Sequence, residues 1–535
     1  MEENFGIKIL KSFLILSVLL FFLKIFDYQV IKGEFFEKKA IEFKSKKIRI
    51  PSKRGKILDR NGLEVAYWRT GFRLLKGDSL YKEDVQMEEV VKYLEDPDSS
   101  KIFNVYALLY RYYPHENIFA QTIGYTGLPD KIEVKRGIDP LLRIGKTGLE
   151  KFYDDILRGT DGFKFLLMDV KGKIYNRETR PPLEPIDGKD ITVNLDMELG
   201  KYIDSIFKPY GRGACVVMES QTGEVLALYS KPSYNLNYLT GKTEKEELAK
   251  VVNDSSNPLL NRCIQGLYPP GSIFKVITAL IALEENLIDT NKVIYCEGFY
   301  KFGNRVFKDW KEEGHGYVNF YKAIEVSCDV YFYELSKRIG LKRFLDYLEK
   351  LSIFEKTGID LYEEKRGFRP NLEFYTRKYG KYGFGEGNVL NLGIGQGEIL
   401  MTPLQLALLF SLIACEGKTK TPHLLKDLKV QEIELPFKKE NIRTLKRALL
   451  RVVHGENGTG RLSYVAGLKI GGKTGTAQNP FGEDHAQFAC FFPFDNPRFT
   501  VYVIVENAGK GGEIAAPIAG RLVSWLNERY IKGSK

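Results

Sequence analysis

The chain has 535 residues, enough for roughly three or four domains of ordinary size, and its 44% hydrophobic and 28% charged residues are those of a globular protein with a sizeable core. A net charge of +11 suits an anionic partner such as a membrane surface, a cell-wall polymer or nucleic acid, but no zinc-finger spacing or glycine-rich phosphate loop supports nucleic acid, and the basic residues are spread along the chain. Six cysteines, all between Cys215 and Cys490, are too few for a disulfide scaffold.

The first informative stretch is Ile9 to Phe26, apolar except for Lys11, Lys24 and two serines. As a helix it spans about 27 Å, close to the ~30 Å of bilayer hydrocarbon, with its lysines placed to snorkel. A cleaved signal peptide or a buried helix would read similarly, but no small-residue cleavage site follows, so an uncleaved anchor is expected. Lys32, Lys38, Lys39, Lys44, Lys46 and Lys47 follow the span, whereas only Lys8 and, in its first turn, Lys11 stand at its start. By the positive-inside rule that balance opposes export of the rest of the chain.

Residues 27–189 read as a strand-rich region with a polar insertion. A strand-like alternation leads to Asn61-Gly62, a hairpin signal, and Tyr81 to Asp96 is acidic and partly helical in pattern. Composition changes near Pro181-Pro182, and a large domain of helices and strands is expected over 190–535. Its elements are strands over Arg212–Met218 and Glu224–Tyr229, an apolar helix over Ile273–Asn286, strands over Leu468–Gly472 and Phe499–Glu506, and a closing helix over Ala515–Arg529.

Three short motifs fall in order inside that domain. Ser272-Ile-Phe-Lys275 opens the apolar helix, Ser327-Cys-Asp329 precedes a second helical run, and Lys473-Thr-Gly-Thr476 ends a strand. Positions i and i+3 of a helix share a face, so the Lys275 amine can reach the Ser272 hydroxyl. The helix N-terminus favours the negative charge that develops on an attacking oxygen by ~0.3–2 kcal/mol. Serine needs a base; the chain has five histidines and no Gly-x-Ser-x-Gly elbow, which leaves lysine. For Lys275 to serve near neutral pH its pKa must fall, and burial beside a second cation, Lys473, pushes it that way. Ser327 can relay a proton, and Lys473 with the hydroxyls of Thr474 and Thr476 can hold a substrate carboxylate, Gly475 allowing close approach. Each motif alone is commonplace as a cap, a loop or a turn. Their order, their spacing and the apolar first helix give them their meaning.

This grouping marks penicillin-binding proteins and class A β-lactamases. The chain resembles the elongation-type class B penicillin-binding proteins over nearly its whole length. The likeness is carried by Asn261 to Lys275, by Leu392-Gly-Ile-Gly-Gln-Gly397 with Thr402-Pro-Leu-Gln-Leu-Ala, and by Gly472 to Gln478. Upstream it is carried by Arg54 to Gly62, Arg111-Tyr-Tyr-Pro114 and Ile144 to Glu150. The resemblance implies an α+β, penicilloyl-serine-transferase domain over 190–535, a pedestal and head over 27–189, an anchor over 9–26 and a cytoplasmic tail over 1–8. It implies acyl transfer from D-Ala-D-Ala stem peptides on the extracytoplasmic side of the inner membrane, inhibition by β-lactams, and an oxyanion hole from the Ser272 and Thr476 N–H groups. Asp329 stands where most relatives outside the elongation group carry Asn. Nothing resembles a glycosyltransferase, so a membrane-embedded SEDS-family polymerase is the implied partner. A DD-carboxypeptidase or a β-lactam sensor could use the same serine, and a non-catalytic scaffold would be expected to have lost Ser272 or Lys275.

No organic cofactor is expected. Between the first two motifs lie Cys296, Asp309, His315 and Cys328, all competent zinc ligand types, at gaps of 13, 6 and 13 residues that match no short-range zinc signature. Buried thiols, a Cys296–Cys328 disulfide, and a capping Asp309 with a satisfied His315 are the alternatives. Some elongation-type relatives bind zinc here, so the resemblance adds one structural Zn²⁺ to the possibilities.

Overall fold

The structure is a computed structural model, and it describes residues 2–76, 79–95, 103–140, 142–169, 171, 174–240, 245–380, 383–479 and 482–533. The chain divides into two compact units, Met1–Gly55 with Arg158–Lys189, and Lys56–Leu157 with Asp190–Lys535. The stretch 27–189 is therefore shared between two units, because pairing across long sequence separations, not composition, sets the grouping.

The first unit begins with a helix over Glu2–Phe26 that continues as a π-helical turn over Asp27–Ile31. A second helix covers Gly33–Phe43. A three-stranded antiparallel sheet follows, with Gly162–Met168 between Ser45–Ile50 and Ile174–Glu178. Asp161 joins its ends by pairing with Arg49 and accepting from Ser52 N at 2.8 Å.

The second unit holds the expected hairpin. Ile57–Leu58 pairs with Glu64–Lys76, and Gly62 sits at φ +85, a conformation open to glycine. Phe103–Tyr112 pairs along the same long strand, and Met87–Glu95 is the helix of the acidic segment.

Its centre is a five-stranded antiparallel sheet. In chain order the strands are β1 (Gly213–Glu219), β2 (Val225–Lys231), β3 (Gly471–Ala477), β4 (His485–Phe492) and β5 (Phe499–Val505). They lie in the order β2-β1-β5-β4-β3, which leaves β3 at an edge. The helices Pro403–Ala414 and Ala515–Leu526 pack on the sheet, and the first is buried at every position, as its unbroken apolar sequence requires. Pro403 at its first turn and a Thr402–Gln405 capping box fix where it starts.

Two boundaries differ from the sequence reading in ways that matter for the site. Lys473-Thr-Gly-Thr476 lies inside strand β3 rather than at its end, because the ladder with β4 runs from Gly471 to Ala477. The nucleophile region is a 3-10 turn, Gly271–Phe274, and the α-helix begins only at Lys275 and runs to Glu284.

Candidate active site

The three motifs line one cleft of about 770 Å³, with Ser272, Ser327, Asp329, Thr474 and Thr476 on its walls. Ser272 is brought there by the 3-10 turn after Pro269-Pro270. Gly271 has φ +53, and a Cβ on it would sit 2.7 Å from the Thr476 carbonyl oxygen, so the turn lies directly against the edge strand. Gly475 serves the same contact from the other side: a Cβ there would meet Ile273 at 2.9 Å. Its close approach is to the nucleophile turn.

Lys275 is completely buried. Its ammonium lies 2.7 Å from the Asp329 carboxylate and donates to the Ser327 carbonyl at 2.7 Å and the Ser327 hydroxyl at 3.2 Å. Among the described residues no hydrogen bond joins it to the Ser272 hydroxyl. The physical reason is the carboxylate: a buried ammonium turns first to its countercharge.

Ser327 sits between the two lysines. Its hydroxyl oxygen lies 2.8 Å from Lys473 Nζ, within hydrogen-bond reach, and its backbone is left-handed at φ +55, a conformation costly for a residue with a side chain and typical of functional loops. Lys473 is fully buried, donates also to the Thr474 carbonyl at 3.1 Å, and is not among the cleft-lining residues. Burial first, and the Lys275 charge second, hold its pKa well below the ordinary lysine value, with Asp329 opposing. Lys473 is thus set back from the cleft wall. The cleft presents the Thr474 and Thr476 side chains instead, with Lys473 behind them.

Sequence reasoning gave no role to several residues that set this geometry. Gly395 accepts through its carbonyl from Gly271 N at 3.0 Å, and the Gln396 side chain donates to the Thr476 carbonyl at 3.2 Å. One short loop therefore grips both the nucleophile turn and the edge strand. Glu325, buried two residues before Ser327, accepts from Arg451 at 2.7 and 2.8 Å and from Asn457 N at 3.2 Å, and its carbonyl takes Thr459 N at 3.2 Å. That holds the Thr459 hydroxyl 2.7 Å from the Thr474 hydroxyl. The Leu392–Gly397 run was visible as a family likeness, but nothing in its spacing reveals what it touches.

Cys296, Asp309, His315 and Cys328 do converge, their ligand atoms all within 4.8 Å of one another. Cys296 Sγ is 3.5 Å from Asp309 Oδ2 and 3.7 Å from His315 Nδ1; Cys328 Sγ is 3.4 Å from Asp309 Oδ2, and His315 Nδ1 is 3.5 Å from Asp309 Oδ1. A tetrahedron with bonds of about 2.0–2.3 Å has edges of about 3.3–3.8 Å, so these separations fit a zinc ion. Both cysteines are free thiols. Hydrogen bonding from Cys328 brings the Cys296 thiol down to about 6, while Cys328 is pushed up by the same pairing, so one of the two readily gives a thiolate. Asp309 also accepts from Val330 N at 3.1 Å, so its capping role and its place in the cluster coexist.

Comparison with known proteins agrees with this geometry. Residues 213–524 match the penicillin binding protein transpeptidase domain, and 75–193 match the penicillin-binding protein dimerisation domain. The chain is 32% identical to the peptidoglycan D,D-transpeptidase MrdA of Haemophilus influenzae, over 84% of this chain and 74% of that one. It is 27% identical to MrdA of Escherichia coli K12, over 95% and 91%. Among solved structures, PBP2 from the Helicobacter pylori complex with MreC superposes with a TM-score of 0.80 at 28% identity, covering 91% of this chain and 99% of that one. A peptidoglycan synthase complex that coordinates polymerization and crosslinking matches with a TM-score of 0.78 at 28% identity, covering 97% of each chain. With a serine and an edge strand on one cleft, two buried lysines behind them, and this likeness along nearly its full length, the chain belongs to the penicillin-binding protein transpeptidases, on their elongation-type PBP2 branch.

Proposed function

We propose that this chain is a peptidoglycan D,D-transpeptidase that cross-links stem peptides during wall elongation, with Ser272 as its acylated residue. The observation that carries the reading is the hydrogen-bonded Lys275–Ser327–Lys473 chain, whose Ser327 lines the same cleft as Ser272. Ser272 Oγ attacks the carbonyl carbon of the penultimate D-Ala. Its proton passes to Lys275 as Lys275 yields one to the Ser327 oxygen and Ser327 yields its own to Lys473, the amine whose pKa burial lowers. The terminal D-Ala leaves as an amine that takes the proton back along the same chain. An incoming stem-peptide amine then attacks the ester carbonyl carbon and gives up a proton to the same chain; the acyl–oxygen bond breaks, and the chain returns that proton to the departing Ser272 Oγ. The hydroxyls of Thr474 and Thr476 meet the terminal carboxylate, and Thr459 orients that of Thr474.

Labelled penicillin should attach covalently to the wild type and to neither Ser272→Ala nor a folded Lys275→Ala. Label on another residue would sink the assignment. A carboxypeptidase would use the same serine and differ only in its acceptor, so a cross-linking assay on lipid-linked substrate separates the two.

We read 1–8 as a cytoplasmic tail, 9–26 as an inner-membrane anchor, 27–189 as pedestal and head, and 190–535 as the extracytoplasmic transpeptidase domain. The candidate span, Phe5–Ile31, supports the anchor by its length and apolar composition. A reporter fused to the C-terminus should read extracytoplasmic; a cytoplasmic reading would undo the assignment, because the cross-linked polymer lies outside. A SEDS-family polymerase and a scaffold of the MreC kind are the proposed partners, by likeness to the complexes of relatives. The cysteine–aspartate–histidine cluster is proposed to hold one structural zinc. All four protein donors would be spent on it, so its work would be to fix the second motif through Cys328, between Ser327 and Asp329.

A further inference from the structure

The lysines after the apolar span need an account that the positive-inside rule does not give. Only Lys32 separates the span, Phe5–Ile31, from the helix Gly33–Phe43. On that helix Phe35, Phe36 and Phe43 are 54%, 40% and 82% exposed. At about 100° per residue, Phe35, Phe36, Lys39, Ala40 and Phe43 share an arc of about 140°, with Glu34, Glu37 and Lys38 opposite. Ile41 falls on the polar side, and position 42, a glutamate, borders the aromatic arc.

The Tyr28 ring lies 5.3 Å from that of Phe36, which lies 5.4 Å from that of Phe35. Residues eight apart in a straight helix are separated by about 12 Å along the axis, so the chain bends between them. The bend brings the aromatic face against the end of the span. Lys39 holds its ammonium 4.9 Å over the Phe35 ring, its stem lying along the aromatic face. From Lys32 to Lys47 the chain carries six lysines against three glutamates.

We propose that Gly33–Phe43 is an interfacial helix that binds the bilayer surface where the chain leaves the span. Phe35, Phe36 and Phe43 enter the boundary between headgroups and acyl chains, and the lysines meet anionic phospholipid headgroups. Continuity argues for lipid as the occupant: a helix that starts one residue beyond an apolar span is already at headgroup level. The charge surplus argues for anionic lipid. The lysines then serve surface attraction at the exit side of the span. The inference rests on the reading of Phe5–Ile31 as a membrane span.

The test uses the full chain in vesicles of phosphatidylcholine, with and without about 30 mol% phosphatidylglycerol, whose acyl chains are brominated near the carbonyls. Phe43→Trp and Glu37→Trp are each read against the wild type, which carries Trp68, Trp310 and Trp525. The signal added by Phe43→Trp should be quenched at least about twofold more than that added by Glu37→Trp. The quenching should grow with anionic lipid and fall when Lys38→Gln, Lys39→Gln and Lys44→Gln are combined. Equal quenching at the two positions would overturn the proposal. So would shielding of Phe43→Trp that appears only in native membranes, which would give the face to a protein partner. Failure of the wild type to float with the vesicles would overturn the span reading itself, a separate result.

Discussion

Replacing Gly395 by alanine tests whether the loop that touches both the nucleophile turn and the edge strand positions Ser272. A Cβ at 395 would lie 2.2 Å from the Gly271 carbonyl oxygen and 2.5 Å from Phe274 Cβ. Ordinary contact needs about 3.5 Å, so something must move by about 1.3 Å, and the nearest atom is backbone adjacent to Ser272. The residue also has φ +72, which costs a side-chain-bearing residue about 1–2 kcal/mol wherever it occurs. Gly467→Ala supplies the control, because Gly467 has φ +78 with nothing within 4 Å of the added carbon. Both variants should lose about 1–2 kcal/mol from backbone strain, and Gly395→Ala a further ~1–3 kcal/mol from overpacking. A displacement near 1 Å at a reacting group can cost about 100-fold, so penicillin acylation should slow by about that factor in Gly395→Ala and stay near wild type in Gly467→Ala. The assay is the second-order rate of covalent labelling, with thermal unfolding measured in parallel. Acylation of folded Gly395→Ala within about threefold of Gly467→Ala would refute the positioning argument.

The metal reading predicts about one zinc per purified chain, lost in His315→Ala together with slower acylation and a lower melting temperature; metal-free protein with a Cys296–Cys328 bond by mass spectrometry would dismiss it. The buried Lys473 predicts a pH dependence of stability. Its folded pKa is depressed, so below about 10.4 the unfolded chain binds the proton more tightly than the folded one. Its cost to folding is greatest below the depressed value and fades as pH rises toward the unfolded value. Denaturant titrations should therefore show stability climbing less steeply with pH in Lys473→Met than in the wild type; equal slopes would contradict the depressed pKa.

Much of this protein is legible in the chain. The apolar run after Ile9, the hairpin at Asn61-Gly62 and the unbroken apolar stretch behind Pro403 are local signals, each fixed by helix length, turn chemistry or burial. The three motifs are legible too, since a serine, two lysines and an edge-strand threonine pair are a chemical statement in any order of folding. What those lysines do is not. Lys275 and Lys473 are both fully buried, yet one is paired with Asp329 and the other holds the Ser327 hydroxyl and the Thr474 carbonyl, and that difference comes from which side chains pack around each ammonium. Gly395, Gln396, Glu325 and Thr459 carry no short-range pattern, because their partners are 80 to 134 residues away or lie across a strand edge. The cysteine–aspartate–histidine set has the same character: its gaps announce no metal, and only the fold brings four donors within 4.8 Å of one another. Sequence alone determined which chemical groups are available and where the strong local signals lie: the long apolar runs, the hairpin turn and the helix caps. Only the tertiary structure decided which groups meet, because burial and long-range contact, not spacing along the chain, set the charge and the partner of each.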